Sequence, residues 1–136
     1  MQIFLRAKER IYINGAVIRV DRKTTLELMN EATFLLENHV MQADQATTLL
    51  RQVYFAIQIM LMDPSANQQA TQLASAQIDA ALKTYRSPEI HSGLAEVGKL
   101  IGRSRNFEAL KTLRSLFPVE AKERDAAQAS ACSATV

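Results

Sequence analysis

Ile11-Tyr12-Ile13-Asn14-Gly15-Ala16-Val17-Ile18-Arg19-Val20 decides how the first third of this chain folds. Two β-branched runs flank an Asn-Gly pair. A type I′ turn needs φ > 0 at both central residues, which Asn and Gly tolerate best, so the stretch predicts a β-hairpin. With Asn14 and Gly15 as the loop, Ile13 pairs with Ala16, and Arg10 falls opposite Arg19. Beyond the hairpin, Asp21-Arg22-Lys23 is a polar break. Residues 24–29 read as a third strand and 33–36 as a fourth. Strands this short and close together favour an antiparallel meander or small roll. Residues 26–37 also fit a helix, because Leu28, Leu35 and Leu36 satisfy either period.

From Thr47 onward the period changes. Leu49, Leu50, Val53, Tyr54, Ile57, Met60 and Leu61 recur at helical steps after Thr47-Thr48. Asp63-Pro64 ends that helix, since the residue before proline avoids the α region. Asp63 then caps a second helix with Pro64 at its first position. Its apolar face carries Ala70, Leu73, Ala74, Ile78, Ala81, Leu82 and Tyr85. Ser87-Pro88-Glu89 repeats the device for a third helix with Ile90, Leu94, Val97 and Ile101, closed by Gly102. A last helix from about Ser104 carries Phe107, Leu110, Leu113, Leu116 and Phe117 and ends before Pro118. The expected class is therefore α+β: a small N-terminal antiparallel β-sheet or roll, then a C-terminal bundle of about four helices. Residues 1–42 form the β-rich region and 43–117 the helical region packed on it as one compact domain. Residues 118–136 are an expected flexible tail rich in Ala and Ser.

Composition sets the outer limits. The 136 residues are 48% apolar and 22% charged, an ordinary balance for one globular domain. One cysteine, Cys132, excludes an internal disulfide and suits a reducing, cytoplasmic setting. No apolar run reaches the ~18 residues of a membrane span, and the start lacks the pattern of a signal peptide. A phosphate-cradling glycine loop, a CxxC pair, HExxH and a nucleophile elbow are all missing from the sequence. His39 and His91 stand far apart, and the acids are scattered among bases. No catalytic residue, metal site or cofactor is expected.

The cations are more informative. Arg6, Lys8, Arg10, Arg19, Arg22 and Lys23 are opposed only by Glu9 and Asp21 in that span. Two cations opposite each other across a strand pair cost energy unless an anion lies between them. A phosphate backbone supplies one, and a solvated, screened face is the other reading. A second group, Lys99, Arg103, Arg105, Lys111 and Arg114, is opposed by Glu108. The dipole at a helix end accounts for Lys99 and Arg103. Arg105, Lys111 and Arg114 remain as secondary candidates for RNA or an acidic partner. Tyr12 can stack on a base if its strand face is open. The run from Val53 to Met62 is apolar on nearly all sides, so that helix is either central or meets a partner.

Glu9-Arg10-Ile11-Tyr12-Ile13-Asn14-Gly15-Ala16-Val17-Ile18 resembles the N-terminal stretch of the FlbT family of flagellar proteins. So does His39-Val40-Met41-Gln42-Ala43-Asp44-Gln45-Ala46-Thr47-Thr48, followed by Arg51-Gln52-Val53-Tyr54-Phe55 and Met62-Asp63-Pro64. The likeness spans residues 4–117, with Leu49 where members often have proline and Gln52 where they have a basic residue. It implies a cytoplasmic post-transcriptional repressor of flagellin synthesis. Such a protein associates with the 5′ untranslated leader of flagellin mRNA, lowers its translation or stability, and acts opposite a second regulator, FlaF. On that reading Arg6, Lys8, Arg10, Arg19, Arg22, Lys23 and Arg51 are the RNA-binding candidates. The alternative is an adaptor or chaperone-like factor that docks flagellin or FlaF through Tyr54, Phe55 and Met62. Neither needs a membrane. A homodimer stays open, because an exposed sheet edge can pair with a second copy.

Overall fold

The computed structural model describes residues 2–13, 16–30, 32 and 34–134. Its strands form two small antiparallel sheets. β1 (Gln2–Leu5), which no local signal marked, pairs with β4 (Thr24–Glu27). β2 (Arg10–Ile13) lies between β3 (Ala16–Arg19) and β5 (Phe34–Leu36). The hairpin register follows the spacing: Arg10 opposite Arg19, Ile13 opposite Ala16. Asn14 and Gly15, the expected turn, lie outside the described residues. The helical option for residues 26–37 gives way to β4, β5 and a 3-10 turn at Glu37–His39.

Strand alternation then builds the layers. Ile11, Ile13, Phe34 and Leu36 point to one side, where they pack with Ile3, Leu5 and Leu26 of the β1–β4 sheet. Tyr12 and its cross-strand neighbour Leu35 point to the other side, into the helical core. The three-stranded sheet is thus the middle layer between the two-stranded sheet and the helices. A side-chain period of two requires this division.

The helices are α1 (Leu49–Met62), α2 (Asn67–Thr84), α3 (Pro88–Gly102) and α4 (Asn106–Ala134). α1 packs against α2, α4 and β2, which explains its nearly all-round apolar surface. Thr48 caps it, its hydroxyl accepting from Arg51 N at 3.2 Å. Asp63 caps the short turn Pro64–Ala66, accepting from Ser65 N and Oγ at 3.2 and 2.5 Å, and α2 begins only at Asn67. At the end of α3 the left-handed residue is Ser104 (φ 59°), beyond the expected Gly102.

The expected helix end before Pro118 is corrected: α4 runs through Pro118 to Ala134. A helical proline loses one N–H bond and crowds the preceding turn. Tertiary bonds one turn further on offset that cost. Glu120, 2% exposed, accepts from Thr48 Oγ1 at 2.6 Å, from Leu50 N at 3.0 Å and from the Tyr85 hydroxyl. Glu123 accepts from Ser87 N at 2.8 Å and Arg86 N at 3.2 Å. Two acids on α4 thereby satisfy free N–H groups at the starts of α1 and α3.

Candidate functional site

Arg6, Lys8, Arg10, Arg19, Arg22 and Lys23 are all exposed. Lys8 holds a left-handed backbone (φ 68°) in the turn after β1. Its N–H donates to Val20 O at 2.8 Å, and its ammonium lies 3.9 Å from Asp21. Both charged ends are open to solvent, so this pair contributes little. Arg10 and Arg19 face each other across the hairpin, and among the described residues neither guanidinium has an ion-pair partner. Glu37 is close by on the other side of β2, where its carboxylate accepts from Arg10 N at 2.9 Å.

The turn Glu37–His39 leads from this row of cations into a cleft of about 360 Å³ between α1 and α4. One face of α1 builds it. Tyr54 donates its hydroxyl to His39 O at 2.5 Å. Gln58, 3% exposed, clasps Met41 from both sides, accepting from its N at 2.6 Å and donating to its O at 2.8 Å. These two side chains, one turn apart, fix the segment that forms the near wall.

Arg51, Tyr54, Arg114 and Phe117 line the cleft with His39, and no acid is among the lining residues. Each helix contributes an arginine and, three residues later, an aromatic ring. The arginines are crossed onto the opposite rings. Arg51 Cζ lies 4.6 Å from the centre of the Phe117 ring. Arg114 Nη1 donates to the Tyr54 hydroxyl at 3.0 Å. The rings themselves pack tilted, 5.6 Å apart.

Electrostatics follow from this enclosure. Burial, then the Arg114 charge, holds the His39 imidazole below its usual value, which favours the neutral ring at neutral pH. Its buried Nδ1 has no protein hydrogen-bond partner among the described residues. Burial pushes the Tyr54 phenol up, and the Arg114 hydrogen bond opposes the shift. His91 has a structural role, its Nε2 2.5 Å from Tyr85 O.

The structure separates the remaining candidates. Tyr54 is 2% exposed, so its ring is core, and the residue also lines the cleft. Phe55 and Met62 are half-buried against the same core. Arg51 belongs to the cleft, apart from the hairpin cations. Arg105 is 3.6 Å from Glu108 beside a second cleft of about 700 Å³, under the paired rings of Phe34 and Phe107. Sequence reasoning missed Phe117 and His39 as cleft residues and ranked Arg114 second. The repeated Arg-x-x-aromatic spacing at 51–54 and 114–117 was the available signal. Among the described residues no cluster of three or more His, Cys, Asp or Glu could hold a metal ion. No helix among them is long and apolar enough to cross a membrane.

The fold and its surface define a small α+β protein with a cationic hairpin and a cleft lined by Arg51, Tyr54, Arg114 and Phe117. Comparison with known proteins adds the lineage. Residues 1–123 match the family described as Flagellar protein FlbT, and the chain belongs to that family. It is 52% identical over 120 residues to a "Probable flagellum biosynthesis repressor protein FlbT 2" of Bradyrhizobium diazoefficiens, covering 88% of each chain. It is 48% identical over 120 residues to the "Probable flagellum biosynthesis repressor protein FlbT" of Mesorhizobium japonicum, covering 88% of this chain and 82% of that one. The similarly named protein of Brucella anthropi is 49% identical over 122 residues, with 90% and 80% covered. No solved structure matches.

Proposed function

We propose that this chain is a repressor of flagellum biosynthesis that acts after transcription in the cytoplasm. It binds the 5′ untranslated leader of flagellin mRNA and lowers its translation or stability. The observation that carries this reading is the cross-strand pair Arg10 and Arg19, exposed and without an ion-pair partner among the described residues. Like charges held in that register favour an anion between them, and a phosphate backbone presents anions at a regular spacing. The names of the relatives support the repressor half. The sequence offers none of the usual nuclease constellations. Repression therefore works by occluding the ribosome or by holding the leader in a fold that other enzymes cut. RNA binding is favoured over the adaptor reading, because Tyr54 is buried and Phe55 and Met62 are half-buried against the core.

The test is titration of purified protein into a labelled flagellin leader at two salt concentrations, against a scrambled competitor. Leader-selective, salt-sensitive binding without a second protein is the expected result. Equal affinity for the scrambled RNA, or a requirement for a protein partner, overturns direct repression.

A further inference from the structure

We infer that the cleft between α1 and α4 is a binding site for one unstacked nucleotide of a single-stranded RNA. Its phosphate sits on Arg51 and Arg114, and its base lies against the Arg51–Phe117 contact. The inference rests on the RNA reading above and names a second, separate part of the surface.

Two guanidiniums share this cleft with no acid in its lining and no ion-pair partner among the described residues. Such a pair is stabilised by a bound anion, and guanidinium forks fit phosphate oxygens two at a time. An anion alone would leave the rest of the lining unused. Phe117 and Arg51 give apolar and planar surface, and unpaired bases stack on both kinds of group.

Position argues for a polymer. Glu37, at one end of its turn, touches Arg10 of the cationic row, while His39, at the other end, lines the cleft. A turn of this kind rises about 2 Å per residue, so the row and the cleft are near neighbours. A strand that neutralises Arg10 and Arg19 can continue into the cleft. An acidic peptide would meet the cations but would leave the stacking surface empty. The larger cleft beside Arg105 lacks this electrostatic need, since Glu108 already faces that arginine.

The chain has no tryptophan, so Phe117→Trp installs a single fluorescent reporter in the cleft. Its emission is followed during titration with the leader, a short oligouridylate, inorganic polyphosphate and polyglutamate. Strong quenching by the leader and the oligouridylate, weaker quenching by polyphosphate, which offers phosphate but no base to stack, and none by polyglutamate is the expected result. Polyphosphate quenching equal to that of the oligouridylate overturns the base contact. In the otherwise wild-type chain, Arg51→Gln with Arg114→Gln should weaken oligouridylate binding roughly tenfold. If the leader does not bind but oligouridylate still quenches, the repressor reading falls and the nucleotide site stands. No quenching by oligouridylate, or equal quenching by polyglutamate, overturns the site. If the tryptophan variant does not fold, an oligonucleotide carrying 2-aminopurine reports from the ligand side. An unquenched bound base, or full affinity in the double arginine variant, then overturns it.

Discussion

The Thr48 hydroxyl donates to Glu120 Oε1 at 2.6 Å, joining positions 72 apart in sequence. The other oxygen of the same carboxylate accepts from Leu50 N at 3.0 Å and from the Tyr85 hydroxyl. Glu120→Ala leaves these donors without their acceptor, the Leu50 N–H and the Tyr85 hydroxyl at buried positions. Unsatisfied buried groups cost about 1–3 kcal/mol each, so the loss should be about 3 kcal/mol or more. Urea denaturation measures it. Deleting residues 118–136 removes the same carboxylate together with Glu123, and should cost at least as much. A Glu120→Ala variant within about 0.5 kcal/mol of wild type would show that the buried carboxylate contributes no net stability.

Tyr85 gives the same cluster a signature at high pH. Burial first, then the hydrogen bond to Glu120, pushes its phenol up to about 12. An unfolded tyrosine titrates near pH ~10. The folded state therefore favours the neutral phenol. That contribution is complete below about pH 10 and is lost as pH rises through about 12. The urea midpoint should fall across this window. Tyr85→Phe should flatten the fall without abolishing it, because the buried Tyr54 phenol is also raised. An unchanged alkaline slope in Tyr85→Phe would assign the effect elsewhere.

These long-range bonds also show what a local reading of the sequence can reach. The hairpin register was legible because Asn-Gly and the alternation of Ile11, Tyr12 and Ile13 act within ten residues. β1 was not, since its four residues pair with β4, whose strand begins at Thr24. Proline is a fair stop signal for a helix, yet the groups that hold α4 together past Pro118 are contributed by Thr48, Leu50, Tyr85 and Ser87. The cleft was legible only in halves. Phe117 read as core, Tyr54 as core or as a docking residue, Arg51 entered through the family resemblance, and nothing local brings α1 and α4 face to face.

Two glycines of α3 should respond in opposite directions to the same substitution. At Gly98 an added methyl meets nothing within 4 Å. Gly98→Ala should stabilise by about 0.5–1 kcal/mol, through the backbone freedom it removes from the unfolded chain. At Gly93 the methyl would lie 2.5 Å from Leu116 Cδ1 and 3.0 Å from its Cγ, against a side chain that is itself buried. Overpacking costs about 1–3 kcal/mol and exceeds the helix gain. Thermal melts of the two variants should shift in opposite senses. Equal shifts would mean that α3 and α4 can separate there at no cost.

The cross-strand pair of Arg10 and Arg19 makes the salt dependence of RNA binding the sharpest test of the hairpin. On a single strand, each neutralised phosphate contributes roughly 0.7 to the slope of log affinity against log salt. Replacing both arginines with glutamine should therefore lower that slope by about 0.7 where they share one phosphate and by about 1.4 where each neutralises its own. Stability should hold or rise slightly, because like charges directly opposite each other are mildly destabilising. Glu37 provides an internal control. Its carboxylate accepts from Arg10 N and places a negative charge beside the row. Glu37→Gln should strengthen binding, most clearly at low salt, where screening is weakest. Fluorescence anisotropy of the labelled leader across a salt series measures both variants. A double variant with the wild-type slope would remove these arginines from the RNA interface.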